Sequence, residues 1–137
     1  MIESSAGAVE AARRWQQTWL AAWPARDLEA IVALYAADAV HRSTPFRPPH
    51  IGRAEITEYF RTAFADEVAS ARVYFAAPMV ENSRAIMEWW ALVTEADGPA
   101  TIAGIAVADF GPDGLIVRSR DYWFSEPGHR PPHEPHA

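Results

Sequence analysis

The segment Ala85 to Val93, AIMEWWALV, sets one carboxylate inside an otherwise apolar run, and chemistry is first expected there. Read with the two-residue period of a β-strand, Ile86, Glu88, Trp90 and Leu92 share one face while Met87, Trp89, Ala91 and Val93 share the other. Both rows are greasy, so Glu88 is expected to look inward. An ionised carboxylate in such company is costly unless it is paired or hydrogen-bonded, and burial should raise its pKa or recruit a partner. That is how an acid or a base is made. Arg47, in PFRPP, could clamp a ligand carboxylate or phosphate, or bridge to an acid of the protein itself. Five histidines raise the question of a metal. His129, His133 and His136 fall in a proline-rich tail and His50 in a loop, whereas zinc wants ligands fixed tetrahedrally by a folded frame, so no metal site is expected.

The elements that must position these groups follow from periodicity. Residues 8 to 23 read as an amphipathic helix with Ala8, Ala12, Trp15, Trp19 and Trp23 on one stripe, ended by Pro24. Asp27 is a good N-cap for a second helix carrying Leu28, Ile31, Val32 and Tyr35, which makes a helical hairpin. Val40 to Ser43 is a short strand, TPFRPPHIG a loop stiffened by proline, and Arg53 to Phe64 a third helix with Ile56, Tyr59, Phe60, Ala63 and Phe64 buried. From Ala71 the pattern switches to strands over 71–77, 84–94, 101–110 and 115–124, the last two joined by the turn Gly111-Pro112-Asp113-Gly114. Helices first and antiparallel strands afterwards predict an α+β fold, residues 1–125 forming one domain. The tail 126–137 is expected to be frayed or draped on the surface.

Composition bounds the function. At 137 residues the chain holds one core of ordinary size, and half of it is hydrophobic. Six Trp, six Phe and four Tyr fit a domain that packs tightly or encloses an apolar ligand. A formal charge of -6 without a basic run argues against nucleic acid as partner. With no cysteine there is no disulfide frame and no thiolate chemistry. No secretory signal pattern opens the chain and no apolar run approaches the ~20 residues of a membrane span, so a cytoplasmic protein without membrane contact is expected.

The order of elements, with RDLEAIVALYAADAV, the proline-containing loop, IGRAEITEYF and a late DYW, resembles the nuclear transport factor 2-like superfamily. Within it the pattern is similar to the SnoaL-like polyketide cyclases and the ketosteroid isomerases, over roughly residues 8 to 125. The resemblance implies a cone: three helices closing one side of a strongly curved, mainly antiparallel sheet, with a pocket between them. It also implies which isomerase groups are missing. The general-base aspartate falls at Ser43, the oxyanion-hole tyrosine at Trp19 and the protonated aspartic acid at Ala106, so steroid isomerisation by that constellation is not expected. The same alignment turns His41 and Ser43, then Ile86, Glu88 and Trp90, then Gly104, Ala106 and Ala108, then Ser119, Asp121 and Trp123 toward the cavity. Cyclases of the SnoaL type are thought to use a pocket aspartate as acid/base, which makes Asp121 similar in kind.

These placements define the expected site. Glu88 and Asp121 would exchange protons, their like charges pushing one pKa up, while His41 relays a proton or holds one carboxylate ionised. The structural alternative is that Glu88 pairs with an Arg or with His41 only to satisfy burial. Trp15, Trp19, Tyr35, Tyr59, Phe60, Trp90 and Trp123 would form the walls, with Ser43 and Ser119 among them and Arg47 at the rim, although each aromatic is as readily plain core. Trp19 can donate from its indole N–H and so orient a carbonyl. The expected function is cofactor-independent acid/base catalysis, an isomerisation, cyclisation, dehydration or epoxide opening, on a small hydrophobic carbonyl or epoxide compound. A non-catalytic ligand-binding module and a dimerising scaffold with a collapsed cone are the rivals. A homodimer is expected through Met87, Trp89 and Val93 on an outer sheet face.

Overall fold

The computed structural model describes residues 6–133. Helix α1 (Ala6–Ala25) buries Ala8, Ala11, Ala12, Trp15, Trp19 and Ala22. The stripe grades from alanine to tryptophan, so the helix sits close to its neighbours at the start and stands off further along. Helix α2 (Leu28–Val32) is one short turn-and-a-half, capped as expected by Asp27, whose carboxylate accepts from the Ala30 N–H at 3.1 Å. Helix α3 (Gly52–Ala65) buries Ile56, Phe60 and Phe64. No helix among the described residues is long and apolar enough to cross a membrane.

Seven strands form one curved sheet: β1 (Tyr35–Arg42), β2 (His50–Ile51), β3 (Arg72–Phe75), β4 (Met79–Glu81), β5 (Arg84–Glu95), β6 (Gly98–Phe110) and β7 (Ile116–Pro127). Their order is β2-β1-β7-β6-β5-β3, with β4 also on β5. All pairs are antiparallel except β1 with β7. Register shifts in β1 between Tyr35 and Val40, and in β6 between Asp109 and Phe110, bend the sheet over the helices. Gly104 permits a close approach of β6 and β7. A Cβ there would lie 2.2 Å from the Tyr122 carbonyl oxygen and 2.8 Å from the Trp123 Cα, so even alanine would part β6 from β7. The turn 111–114 closes as expected, Gly114 taking φ 81° and the Asp113 carboxylate accepting from the Leu115 N–H.

The structure corrects several expectations. Tyr35 is not the last rung of the second helix but the first residue of β1, because main-chain pairing with β7 overrides the helix-forming run LEAIVALYAADA. The short strands β2 and β4 carry no sequence pattern of their own and add to the expected set. Strand β7 runs to Pro127, beyond the expected 124, and the segment after it is tied down. Gly128 N–H donates to the Pro99 carbonyl, the Gly128 carbonyl accepts from the Thr101 hydroxyl, and Arg130 N–H donates to that hydroxyl's oxygen. His129 meets the Val93 carbonyl at 2.8 Å. His136 lies outside the described residues.

The largest correction concerns β5. Met87, Trp89, Ala91 and Val93 are buried, while Ile86 and Glu88 are exposed and Trp90 half-buried. Register makes this unavoidable, since residues opposite one another in antiparallel strands share a face. Met87 faces Ala106, which faces Asp121, and Trp89 faces Gly104, which faces Trp123. With Ala106 and Asp121 inward, Met87 must be inward and Glu88 must point out. Its Oε2 there accepts from the Trp90 indole N–H at 3.1 Å. Glu88 and Trp90 are therefore not part of the cavity, and Met87, Trp89 and Val93 are not available to an outer interface.

Candidate active site

Between the helices and the sheet lies a cavity of ≈ 220 Å³. Helix α1 supplies Trp15, Trp19 and Trp23, spaced every four residues so that they stack along one face. Helix α3 supplies Tyr59, Phe60 and Phe64, and the sheet supplies Phe75, Met87, Trp89, Val93, Ile102 and Ala106. The rings lock one another edge-on or tilted, as Trp19 against Phe60 at 5.3 Å between centroids and Trp23 against Trp89 at 5.6 Å. Three of the lining residues, Ala63, Asp66 and Trp123, are exposed and mark where it opens.

At one end of this apolar space sits a polar group built by three strand positions. β1 and β7 run parallel with His41 opposite Ser119, and Asp121 follows two residues on along the same inward row. His41 Nδ1 lies 2.7 Å from Ser119 Oγ, which lies 3.2 Å from the Tyr35 hydroxyl. His41 Nε2 lies 3.6 Å from Asp121 Oδ2 and makes no hydrogen bond among the described residues. Proton counting orients the chain. Tyr35 is fully buried and burial pushes its hydroxyl pKa far up, so it keeps its proton and gives it to Ser119, its partner among the described residues. Ser119 Oγ thus joins Tyr35 to His41 Nδ1, and the other ring nitrogen, Nε2, faces Asp121.

Electrostatics sharpen this picture. His41 is only 2 % exposed, and burial, with His50 nearby, lowers its pKa to about 3. Burial raises the Asp121 carboxyl to about 7, although 21 % of that side chain is exposed toward the cavity. Both groups resist charge, so their contact is not an ion pair. It is a neutral imidazole beside a carboxyl poised to gain or lose a proton near neutrality. Tyr59 completes the group: burial and the Asp121 charge raise its pKa to about 12, against a hydrogen bond to Ser43 and the field of Arg47. His50 stacks on the outer side of Tyr59 at 4.5 Å.

Of the residues expected to form the site, Trp15, Trp19, Tyr35, His41, Tyr59, Phe60, Ser119, Asp121 and Trp123 do line the cavity together. Ser43 stands behind the wall, buried, where its side chain holds Tyr59 and its carbonyl accepts from the Trp123 indole N–H at 2.8 Å. Arg47 is exposed and outside the lining, its carbonyl accepting from Arg42. Sequence reasoning missed Met87, Trp89 and Val93, whose signal was the unbroken apolar row opposite Glu88. It also missed Glu67 and Glu95, which line the other end and carry no periodic signal.

Comparison with known proteins agrees with this architecture. Residues 17–119 match the SnoaL-like domain family, a span that ends two residues before Asp121. Among solved structures, the protein RV0760c from Mycobacterium tuberculosis superposes with a TM-score of 0.74 at 18% identity, over 86% of this chain and 96% of that one. SalBIII, described as an epoxide hydrolase/cyclase-like enzyme with a role in pyran ring formation in polyether salinomycin, superposes with a TM-score of 0.69 at 18% identity, over 85% of this chain and 90% of its own. No curated relative matches the chain. Likeness at that identity speaks for the fold, and the family match, which spans most of the sequence, speaks for descent: this chain belongs to the SnoaL-like domain family of the nuclear transport factor 2-like superfamily.

Proposed function

We propose that this protein is an acid/base catalyst acting, without a cofactor, on a small hydrophobic carbonyl or epoxide compound. The observation that carries the reading is Asp121. It is a carboxyl on the inner face of an aromatic cavity, raised to about 7 by burial, with an imidazole nitrogen 3.6 Å away. A catalytic base works best when its pKa lies near the working pH, because it is then both present as the base and able to return the proton. In this scheme Asp121 takes a proton from carbon next to the carbonyl and returns it elsewhere, or protonates an epoxide oxygen as the acid. His41 is a positioning residue, fixed by Ser119 and Tyr35, whose Nε2 faces the carboxylate. The Tyr59 hydroxyl, still protonated at neutral pH, can donate to the oxygen on which charge develops.

Simple aromatic ketones can stand in for the natural substrate in a test. Incubation with 2-tetralone and 4-acetylbiphenyl in deuterium oxide should show uptake of deuterium next to the carbonyl, above the buffer rate, by mass spectrometry. Opening of styrene oxide under the same conditions covers the epoxide branch. Saturable binding of these compounds with neither reaction would overturn catalysis and leave a binding module.

We also propose a homodimer, through a different set of residues from the expected one. On the outer face of the sheet Ile105 lies opposite Tyr122 and Ala103 opposite Phe124, with Ile86 and Trp90 alongside, and Phe124 is 81 % exposed. Removing such a patch from water favours association. Sedimentation equilibrium should give twice the chain mass, and Phe124→Glu should return it to the single-chain value; a wild-type monomer at micromolar concentration contradicts the interface.

A further inference from the structure

The cavity has a second polar end, opposite the Asp121 group. We infer that Glu67 is a ligand-recognition residue there, accepting a hydrogen bond from a hydroxyl or amine at the far end of an elongated apolar ligand. This rests on the reading of the cavity as a ligand site whose other end faces Asp121.

Glu67 is 7 % exposed and lines the cavity, yet only one of its oxygens is satisfied among the described residues. Oε2 accepts from the Trp23 indole N–H at 2.9 Å. Oε1 is buried and accepts no hydrogen bond from them. The Arg26 guanidinium forms a long ion pair with it, Nε standing 4.0 Å away and beyond hydrogen-bond reach, and its own hydrogen bond goes to the Ala69 carbonyl. The backbone of Glu67 is held on both sides, by its N–H to the Phe64 carbonyl and by an antiparallel bridge to Glu95, with Val68 N–H donating to Thr94. The side chain is thus aimed by its anchors. Burial raises its pKa, and the nearby Glu95 adds to the rise against Trp23 and Arg26. An unsatisfied buried carboxylate oxygen is a standing cost that a donor on a ligand would relieve.

The spacing tells what such a ligand looks like. A chain of rings joins the two ends, His41 to Phe60 at 5.3 Å, Phe60 to Trp19 at 5.3 Å and Trp19 to Trp23 at 5.7 Å between centroids, with the Trp23 indole on Glu67. A ligand lying along it would be two linked or fused ring systems with a polar group at either end. The acidic company of Asp66 and Glu95 at this end favours a donor and disfavours a carboxylate or phosphate.

The probes are 4-acetylbiphenyl and its 4′-hydroxy and 4′-aminomethyl derivatives, titrated by quenching of tryptophan fluorescence, to which Trp23 and Trp89 in the wall contribute. Wild-type protein should bind at least one of the two donor-bearing probes at least about tenfold more tightly than the parent, the scale of a charge-assisted hydrogen bond. Which of the two gains tells hydroxyl from amine. In Glu67→Gln, which preserves shape and an acceptor for Trp23, the preference should fall to within about twofold. Equal affinity for all three probes in the wild type, or no saturable binding by any, overturns the inference. So does a Glu67→Gln protein that melts earlier but keeps the preference, for the residue would then be only a tie between α1 and β5. Deuterium uptake reports on Asp121 separately: uptake without probe preference sinks this inference alone, and preference without uptake sinks the catalytic reading alone.

Discussion

Asp121→Asn should slow deuterium uptake by about 10²- to 10⁴-fold, the usual contribution of a positioned general base, while the probes still bind within about threefold of wild type. The amide keeps the shape of the carboxyl and cannot take the proton. Wild-type uptake at subsaturating ketone should rise with pH through about 7, because Asp121 must be ionised to act as a base and burial holds its pKa there. The variant should lose both the rate and that inflection. If it exchanges protons as fast as the wild type, Asp121 is not the base, whatever else the cavity holds.

A second large effect concerns stability, and its sign differs between the two partners. The Asp121 pKa rises from 3.8 to about 7 on folding, so over that window the folded state holds more protons than the unfolded state. Its contribution is present below the ordinary carboxylate pKa and is lost as pH climbs to about 7. His41 does the reverse. Its pKa falls from 6.5 to about 3, so the folded state holds fewer protons and stability is gained as pH rises from about 3 to 6.5. Each slope is about 1.4 kcal/mol per pH unit, and in the wild type they nearly cancel over the window that the two shifts share. Single variants uncover them. Measured by urea unfolding, the stability of Asp121→Asn relative to wild type should climb by about 4 kcal/mol from mild acid to neutrality, and that of His41→Asn relative to wild type should fall over a similar range. Differences that stay flat with pH would mean that neither group is perturbed by folding.

Much of this was legible in the chain. The helical stripes, the capping by Asp27 and the hairpin turn at 111–114 depend on local spacing, and local spacing survives folding. The inward pointing of His41, Ser119 and Asp121 was also reachable, because resemblance to a known fold supplied a phase that alternation alone leaves undetermined. The failure at Glu88 has a physical reason. When two alternating rows are both greasy, the one with a charge is the outer row, since an antiparallel sheet commonly keeps one face wet and glutamate is almost never buried alone. The carboxylate speaks of orientation there, not of chemistry. Tyr35 and Glu67 were out of reach for another reason. One is drawn into a strand by a partner 81 residues away at Ile116, and the other is aimed by a bridge to Glu95 that no local pattern announces.

The parallel pairing of β1 with β7 has a consequence for how the protein comes into being. The bonds that build the site join Tyr35 and His41 to Ser119, residues 84 and 78 positions apart. A nascent chain emerging from the ribosome therefore carries its aromatic helices and a β1 paired only with β2 until β7 is made. The polar group at the end of the cavity is therefore assembled last, with the final strand, after every other wall of the cavity has been made.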